Sequence, residues 1–286
     1  MKGKPRSKFQ ARLQAGDLVS TEENGAGEEA GGRDFIQSLR RGLAVIRAFT
    51  GDRPSLSISE VADRTHISRA AARRVLFTLE KLGYVGRTEA GQFRLQPAVL
   101  TLGYAYISNQ QLPQVARPHL EMVAEQLQGS SSLAVLDGAD VIFVARVRSR
   151  GYLATTLSVG SRLPAHITAM GRVLLADLPD EQIEHYLQTH TPQAFTELTV
   201  TDKDRIRAAI LAARETGFAF VDQELEIGIR AVAVPVRDHS GRVIAGLNVA
   251  VADPRMSAEQ VIRDYVPVLQ RAAAAISAGL GPGSAC

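Results

Sequence analysis

Ser68 is followed within six residues by Arg69, Ala70, Arg73 and Arg74. Arginine forks onto guanine O6 and N7 or grips a phosphate, and a small alanine beside it lets a helix approach a groove closely. The chemistry implied is recognition of duplex DNA, with Arg69 and Arg73 reading base edges and Ser68 and Arg74 holding the backbone. Taken alone, the arginines also read as a solvated helix face. Arg87 and Arg94 lie on either side of a turn through Glu89, Ala90 and Gly91. A hairpin there would set both against the sugar-phosphate chain.

A second group lies between Gly160 and Arg172. A loop delivers Thr168 as the cap of a helix whose first turn is Ala169, Met170 and Gly171, leaving backbone N–H groups with little bulk over them. Helix starts of this type receive carboxylates, so a small organic acid would dock there; a capped helix beneath a loop is the competing reading. The sequence has no Gly-x-Ser-x-Gly elbow, no phosphate loop and no His-Glu-x-x-His. Glu181, His185 and His190 are spaced like an ordinary helix surface rather than a metal site. Asp222, Glu224 and Glu226 alternate along an extended piece and read as solvated edge residues. Gly25, Gly27 and Ala30 imitate a dinucleotide fingerprint, but no strand leads into them. No catalysis, cofactor or bound metal is expected.

Elements must hold these residues in place. From Asp34 onward Leu39, Leu43, Ile46 and Phe49 recur at helical steps, and Gly51 and Pro54 end that helix. Ser57 with Glu60 is a capping box opening a short helix that stops near His66. Ser68 caps a third helix running to Leu82, with Gly83 as terminator and Ala71, Ala72, Val75, Leu76, Leu79 and Leu82 on its core arc. Phe77 falls outside that arc and is left to pack on the first helix or on a partner. Tyr84–Val85 and Gln92–Leu95 pair as a hairpin, and a hairpin directly after a helix-turn-helix is a wing. This ordered set, more than the arginines, points to DNA binding.

Pro97 opens a linker helix over Ala98–Asn109, Pro113 interrupts it, and a helix through Leu120, Val123, Ala124 and Leu127 begins the second half. The apolar linker has no obvious partner within the chain and suggests a dimer contact. Strands are predicted over Ser131–Leu136, Val141–Val147, Leu153–Val159, Phe218–Val221, Ala231–Val236 and Val243–Val251. Helices fall at Ala169–Ala176, Gln182–Leu187, Asp204–Thr216 and Ala258–Ala278. Antiparallel strands with helices gathered around them describe an α+β sensor-like domain.

Composition agrees with two such bodies. The chain has 286 residues, 45% hydrophobic and 22% charged, enough for two domains and too apolar for overall disorder. Residues 33 to 94 carry twelve Lys/Arg against six Asp/Glu, whereas residues 95 to 286 carry sixteen against nineteen, so only the first body is built to meet a polyanion. The single cysteine, Cys286, excludes an internal disulfide and any multi-cysteine metal site, as a reducing cytoplasmic setting allows. No apolar run approaches a membrane span, and Met1–Arg12 lacks the apolar stretch of a secretory signal.

Three stretches carry a family resemblance: Ser57 to Val85, Leu163 to Ala176 and Phe220 to Pro235. From about Phe35 to Ser277 the chain resembles IclR-type transcriptional regulators. It is most similar to the branch controlling protocatechuate, 4-hydroxybenzoate and β-ketoadipate catabolism. The resemblance implies a winged helix-turn-helix domain over 34–96, a linker helix over 97–118 and a GAF-like effector-binding domain over 119–286, behind a flexible tail at 1–33. It also implies a dimer or tetramer on a roughly palindromic DNA operator. By the same resemblance the effector pocket is bordered by Ala169, Met170, Asp222, Ile229, Ala231, Asn248 and Ala250. Ala231 and Ala250 stand where relatives that bind small keto acids carry cysteine or serine, which favours an aromatic or longer carboxylic acid. His166 and Arg148 are further candidates for the acid or a hydroxyl, although each also reads as structural or solvent-facing.

Overall fold

The computed structural model describes residues 35–51, 53–103, 111–149, 157–253 and 255–280. The glycines at 25 and 27 and the tail that holds them lie outside the described residues. The chain divides into two units, one on each side of residue 110.

In the N-terminal unit α1 spans Gln37–Arg47, α2 Ile58–Thr65 and α3 Arg69–Lys81. The capping box forms: the Ser57 N–H donates to the Glu60 carboxylate at 2.8 Å, and the Glu60 N–H to the Ser57 hydroxyl at 3.3 Å. His66 ends α2 in the left-handed region at φ 52°, and Ser68 starts α3 two residues later. That is the tight turn of a helix-turn-helix. Strands β2 (Val85–Arg87) and β3 (Phe93–Leu95) make the hairpin. A two-residue β1 (Ser55–Leu56) adds to β3, giving the order β1-β3-β2. Val45, Leu56, Val61, Ala72, Leu76 and Phe93 fill the core. Three leucines depart from the periodic reading. Leu82 caps α3 rather than continuing it and is exposed, and Leu39 and Leu43 of α1 also face outward; α1 buries Val45, and Phe49, just after it, is buried as the periodicity predicts.

The C-terminal unit is one antiparallel sheet with the order β6-β5-β4-β9-β8-β7. These strands are β4 (Ser130–Asp137), β5 (Asp140–Val147), β6 (Arg162–Pro164), β7 (Ala219–Asp222), β8 (Arg230–Arg237) and β9 (Val243–Val251). Helices α4 (Gln111–Gln126) and α8 (Ala258–Gly279) pack on one face, and α5 (Ala169–Leu175) lies on the other. Helix α7 (Lys203–Thr216) packs on α5, and α6 (Asp180–Thr189) on α7. Alternation sorts the faces: Leu247, Val249 and Val251 meet α4 and α8, whereas Gly246, Asn248 and Ala250 look toward α5. Close approach there requires glycine. A Cβ on Gly246 would stand 3.0 Å from Met170, and one on Gly171 only 2.0 Å from the Ala165 carbonyl oxygen.

Two boundaries differ from the periodic reading. The expected strand Leu153–Val159 lies largely outside the described residues. Its described end, 157–159, is loop and turn, and the edge strand is Arg162–Pro164, where Arg162 pairs with Asp137 and Asp140. Pro113 sits in the first turn of α4 as described from Gln111, where a missing N–H costs nothing. Leu112 and Ala116 are buried in the core with α8, so α4 runs without a break across the boundary drawn between 118 and 119. Of the expected linker helix, residues 97–103 are described, as a 3-10 turn continuing into helix.

Candidate functional site

The buried face of α3 is Ala72, Leu76 and Leu79, which leaves Ser68, Arg69, Ala70, Arg73 and Arg74 on the exposed side. The Ser68 hydroxyl accepts from the Ala71 N–H at 3.2 Å and so is occupied as a helix cap. Arg94 is exposed on β3. Arg87 is exposed as well, but its side chain lies along α3. It donates to both Glu80 carboxylate oxygens, at 2.8 and 3.3 Å, and its guanidinium carbon lies 5.0 Å from the ring centroids of both Phe77 and Phe93. Phe77 therefore packs on the wing, with its ring centroid 6.2 Å from that of Phe93. The Arg73 guanidinium rests 5.0 Å from the same Phe77 ring.

Between the sheet and α5 lies a cavity of about 550 Å3, open solvent at its mouth included. Ala169, Met170, Ile229, Ala231, Asn248 and Ala250 line it, as the resemblance implies. Phe143, Arg146 and Leu225 line it as well, and nothing in the local sequence announces them. Ser132 of β4 is in register with Asn248 on one side and Arg146 on the other, so the three stand in one row across the sheet. A bulge decides this. The β4–β5 pairing shifts between Leu133 and Ala134, which skips Val144 and brings Phe143 and Arg146 onto one face although they are three residues apart.

Among the described residues of the lining, Arg146 is the one that carries a charge. It donates to the Ser132 hydroxyl at 2.9 Å, and burial, together with the Arg148 charge, lowers its pKa to about 10. A cation held below its ordinary value gains from an anion. Asn248 is buried, and its Oδ1 meets no hydrogen-bond partner. The Thr168 hydroxyl is already satisfied, accepting from the Gly171 N–H at 2.9 Å and donating to the Ala165 carbonyl at 3.2 Å. The described lining thus offers the Arg146 cation and the unsatisfied Asn248 amide among mostly apolar residues.

Three expected pocket residues lie elsewhere. Arg148, just beyond β5, is exposed and donates to the Leu157 carbonyl at 3.2 Å; the cation lining the cavity is Arg146, two residues earlier within the strand. Asp222 accepts from Arg230 at 2.8 Å, which turns its carboxylate along the sheet. His166 is buried behind the start of α5, where its Nδ1 pairs with the Tyr186 hydroxyl at 2.9 Å. Glu224, read from sequence as a solvated edge residue, is also buried. It forms an ion pair with Arg172 of α5 at 2.8 Å and accepts from the Val200 N–H at 3.1 Å. The Arg172 Nε donates to the His166 carbonyl at 2.8 Å, so this network ties the β7–β8 loop, which bears Leu225 and Ile229, to α5.

Burial, then the charges of Arg172 and His190, hold the His166 imidazole at about 4, below its ordinary 6.5. A depressed pKa makes stability greatest above 6.5, with the loss growing as pH falls toward 4. We expect about 3 kcal/mol to disappear over that window. Urea titrations at pH 7.5 and 4.5 should show the loss in the native chain and not in His166→Gln; equal loss in both would assign it to other groups. Among the described residues no group of three or more His, Cys, Asp or Glu could hold a metal. None of their helices is long and apolar enough to cross a membrane.

Comparison with known proteins adds a second kind of observation. The model of the C-terminal domain of IclR bacterial transcriptional regulators matches residues 104–278, and that of the IclR helix-turn-helix domain matches 38–89. The Pca regulon regulatory protein of Pseudomonas putida is 42% identical over 84% of this chain and 82% of its own length. The p-hydroxybenzoate hydroxylase transcriptional activator of Acinetobacter baylyi is 36% identical over 86% of this chain and 92% of its own. Among solved structures, an IclR homologue from Microbacterium hydrocarbonoxydans complexed with 4-hydroxybenzoate is 28% identical. It superposes with a TM-score of 0.73 over 84% of this chain and 98% of that one.

Proposed function

The chain belongs to the IclR family of bacterial transcriptional regulators, and from that premise we propose that it governs catabolic genes in response to an aromatic carboxylic acid. The carrying observation is the cavity with Arg146 at one side and the unsatisfied Asn248 amide at the other, in otherwise apolar walls. A carboxylate on Arg146, a flat apolar body and a hydroxyl on Asn248 would satisfy every polar group it offers. The methyl groups of Ala231 and Ala250 supply apolar wall rather than hydrogen bonds. Names and contents of relatives point the same way: regulators of Pca and p-hydroxybenzoate genes, and a structure holding 4-hydroxybenzoate. A thermal-shift series on the purified chain tests this reading. Benzoate-type acids should raise Tm, and glyoxylate and pyruvate should not; a shift by the keto acids alone would overturn it.

DNA binding falls to α3 and the wing, with Arg69 and Arg73 at base edges, Ser68, Arg74 and Arg94 at the backbone, and Ala70 leaving room for close approach to the groove. Arg73→Ala should forfeit about 1–3 kcal/mol of discrimination at one base pair. Arg94→Ala should weaken all sequences alike and lower the salt slope by about 1. Gel-shift titrations at several salt concentrations separate the two, and an unaltered preference in Arg73→Ala would remove that residue from the reading face. The apolar side chains of Phe35, Leu39 and Leu43, four residues apart and exposed on or just before α1, support self-association. Two-fold pairing matches a palindromic operator, and such a regulator works in the cytoplasm.

A further inference from the structure

Arg73, Phe77 and Glu80 follow one another at four- and three-residue steps and so form a stripe along α3. Arg87 of the wing lies across the lower part of this stripe, ion-paired to Glu80 and resting against Phe77, while Arg73 rests against Phe77 from one turn nearer the helix start. We propose that Phe77 is a positioning residue for Arg73, and that the Glu80–Arg87 brace holds the wing and the ring in place beneath it. The ring then fixes the Arg73 guanidinium before DNA arrives, so the ordering cost of a long flexible side chain is already met. Arg87, with its charge met by Glu80, acts as part of the brace rather than as a phosphate contact. The unbraced Arg94 keeps the phosphate role. The inference rests on the assignment of Arg73 as a base reader.

The test uses the full chain, a duplex selected by the native protein from a randomised library, and a scrambled duplex of equal length. The readout is the ratio of the two Kd values, with Tm and the salt slope measured alongside. Phe77→Leu should lower the ratio roughly three- to tenfold, corresponding to one ordered side chain, with the salt slope unchanged. Phe77→Tyr, which keeps the ring face, should restore it. In an Arg73→Ala background Phe77→Leu should cost nothing further, because a residue acting through Arg73 has no effect once Arg73 is absent. Glu80→Gln, an external change that does not depend on the core tolerating leucine, should lower the ratio in the same direction while strengthening binding to the scrambled duplex. If Arg73→Ala lowers the ratio but neither Phe77→Leu nor Glu80→Gln does, the positioning role falls and the reading face stands. If Arg73→Ala itself leaves the ratio unchanged, the base-reader assignment fails and this inference with it. Additive losses in the double variant would also overturn it.

Discussion

Replacing Arg146 with glutamine should weaken binding of a benzoate-type acid roughly 100-fold or more, the largest ligand effect expected from any single change in the cavity. Arg146 is the charged residue among the described lining, so a carboxylate entering the variant would lose its water without gaining that cation. The free protein should tolerate the change. Its guanidinium donates to the Ser132 hydroxyl at 2.9 Å, and glutamine keeps an N–H donor for that oxygen while removing a charge that burial and Arg148 disfavour. Unchanged Tm without ligand, together with lost calorimetric binding and lost response on DNA, is the expected pattern. Arg146→Lys should fall between, keeping the charge and losing the two-pronged geometry. Asn248→Leu complements it by removing the unsatisfied amide. It should abolish the advantage of 4-hydroxybenzoate over 4-methoxybenzoate, which lacks the hydroxyl donor. Retention of that advantage would place the hydroxyl elsewhere, and full affinity in Arg146→Gln would place the carboxylate elsewhere.

Glu224→Ala should cost the C-terminal unit about 3–5 kcal/mol, the range for breaking a buried ion pair by removing one partner. Both members are buried, and the alanine leaves the Arg172 guanidinium with only the His166 carbonyl to receive it. The Val200 N–H loses its acceptor as well. Because Glu224 anchors the loop bearing Leu225 and Ile229, ligand affinity should fall with stability. The paired change Arg172→Met with Glu224→Leu should recover most of the stability, since it leaves no uncompensated charge. Urea unfolding followed by circular dichroism measures each, and a loss below about 1 kcal/mol in the single variant would mean that water or a neighbour substitutes for the carboxylate.

Much of the molecule could be read before folding. The capping box at Ser57–Glu60, the Ser68 cap and the basic exposed face of α3 are local, because a helix start depends on residues within four positions. The wing followed from strand and turn chemistry over a dozen residues. In the C-terminal unit, the strand carrying Asn248 and Ala250 and the helix start at Ala169 were likewise legible, and the family likeness placed them at one pocket. The exposed leucines of α1 mark the limit of periodicity, which finds an apolar stripe and not what covers it.

What the tertiary structure alone decided has a common cause, which is dependence on a distant partner. Whether Arg146 or Arg148 enters the cavity turns on the bulge that skips Val144, and that bulge belongs to the β4–β5 pairing rather than to either strand's composition. Glu224 finds Arg172 across 52 residues, so an alternating acidic run that looks solvated in sequence becomes a buried lock. Arg87 appears in sequence as a free wing cation, and only the packing of the hairpin on α3 reveals that Glu80 and two aromatic rings hold it. Short-range preferences specify elements and the charge they carry. The direction in which a long side chain spends that charge is set by the nearest opposite charge or π face, and the folded chain alone supplies it.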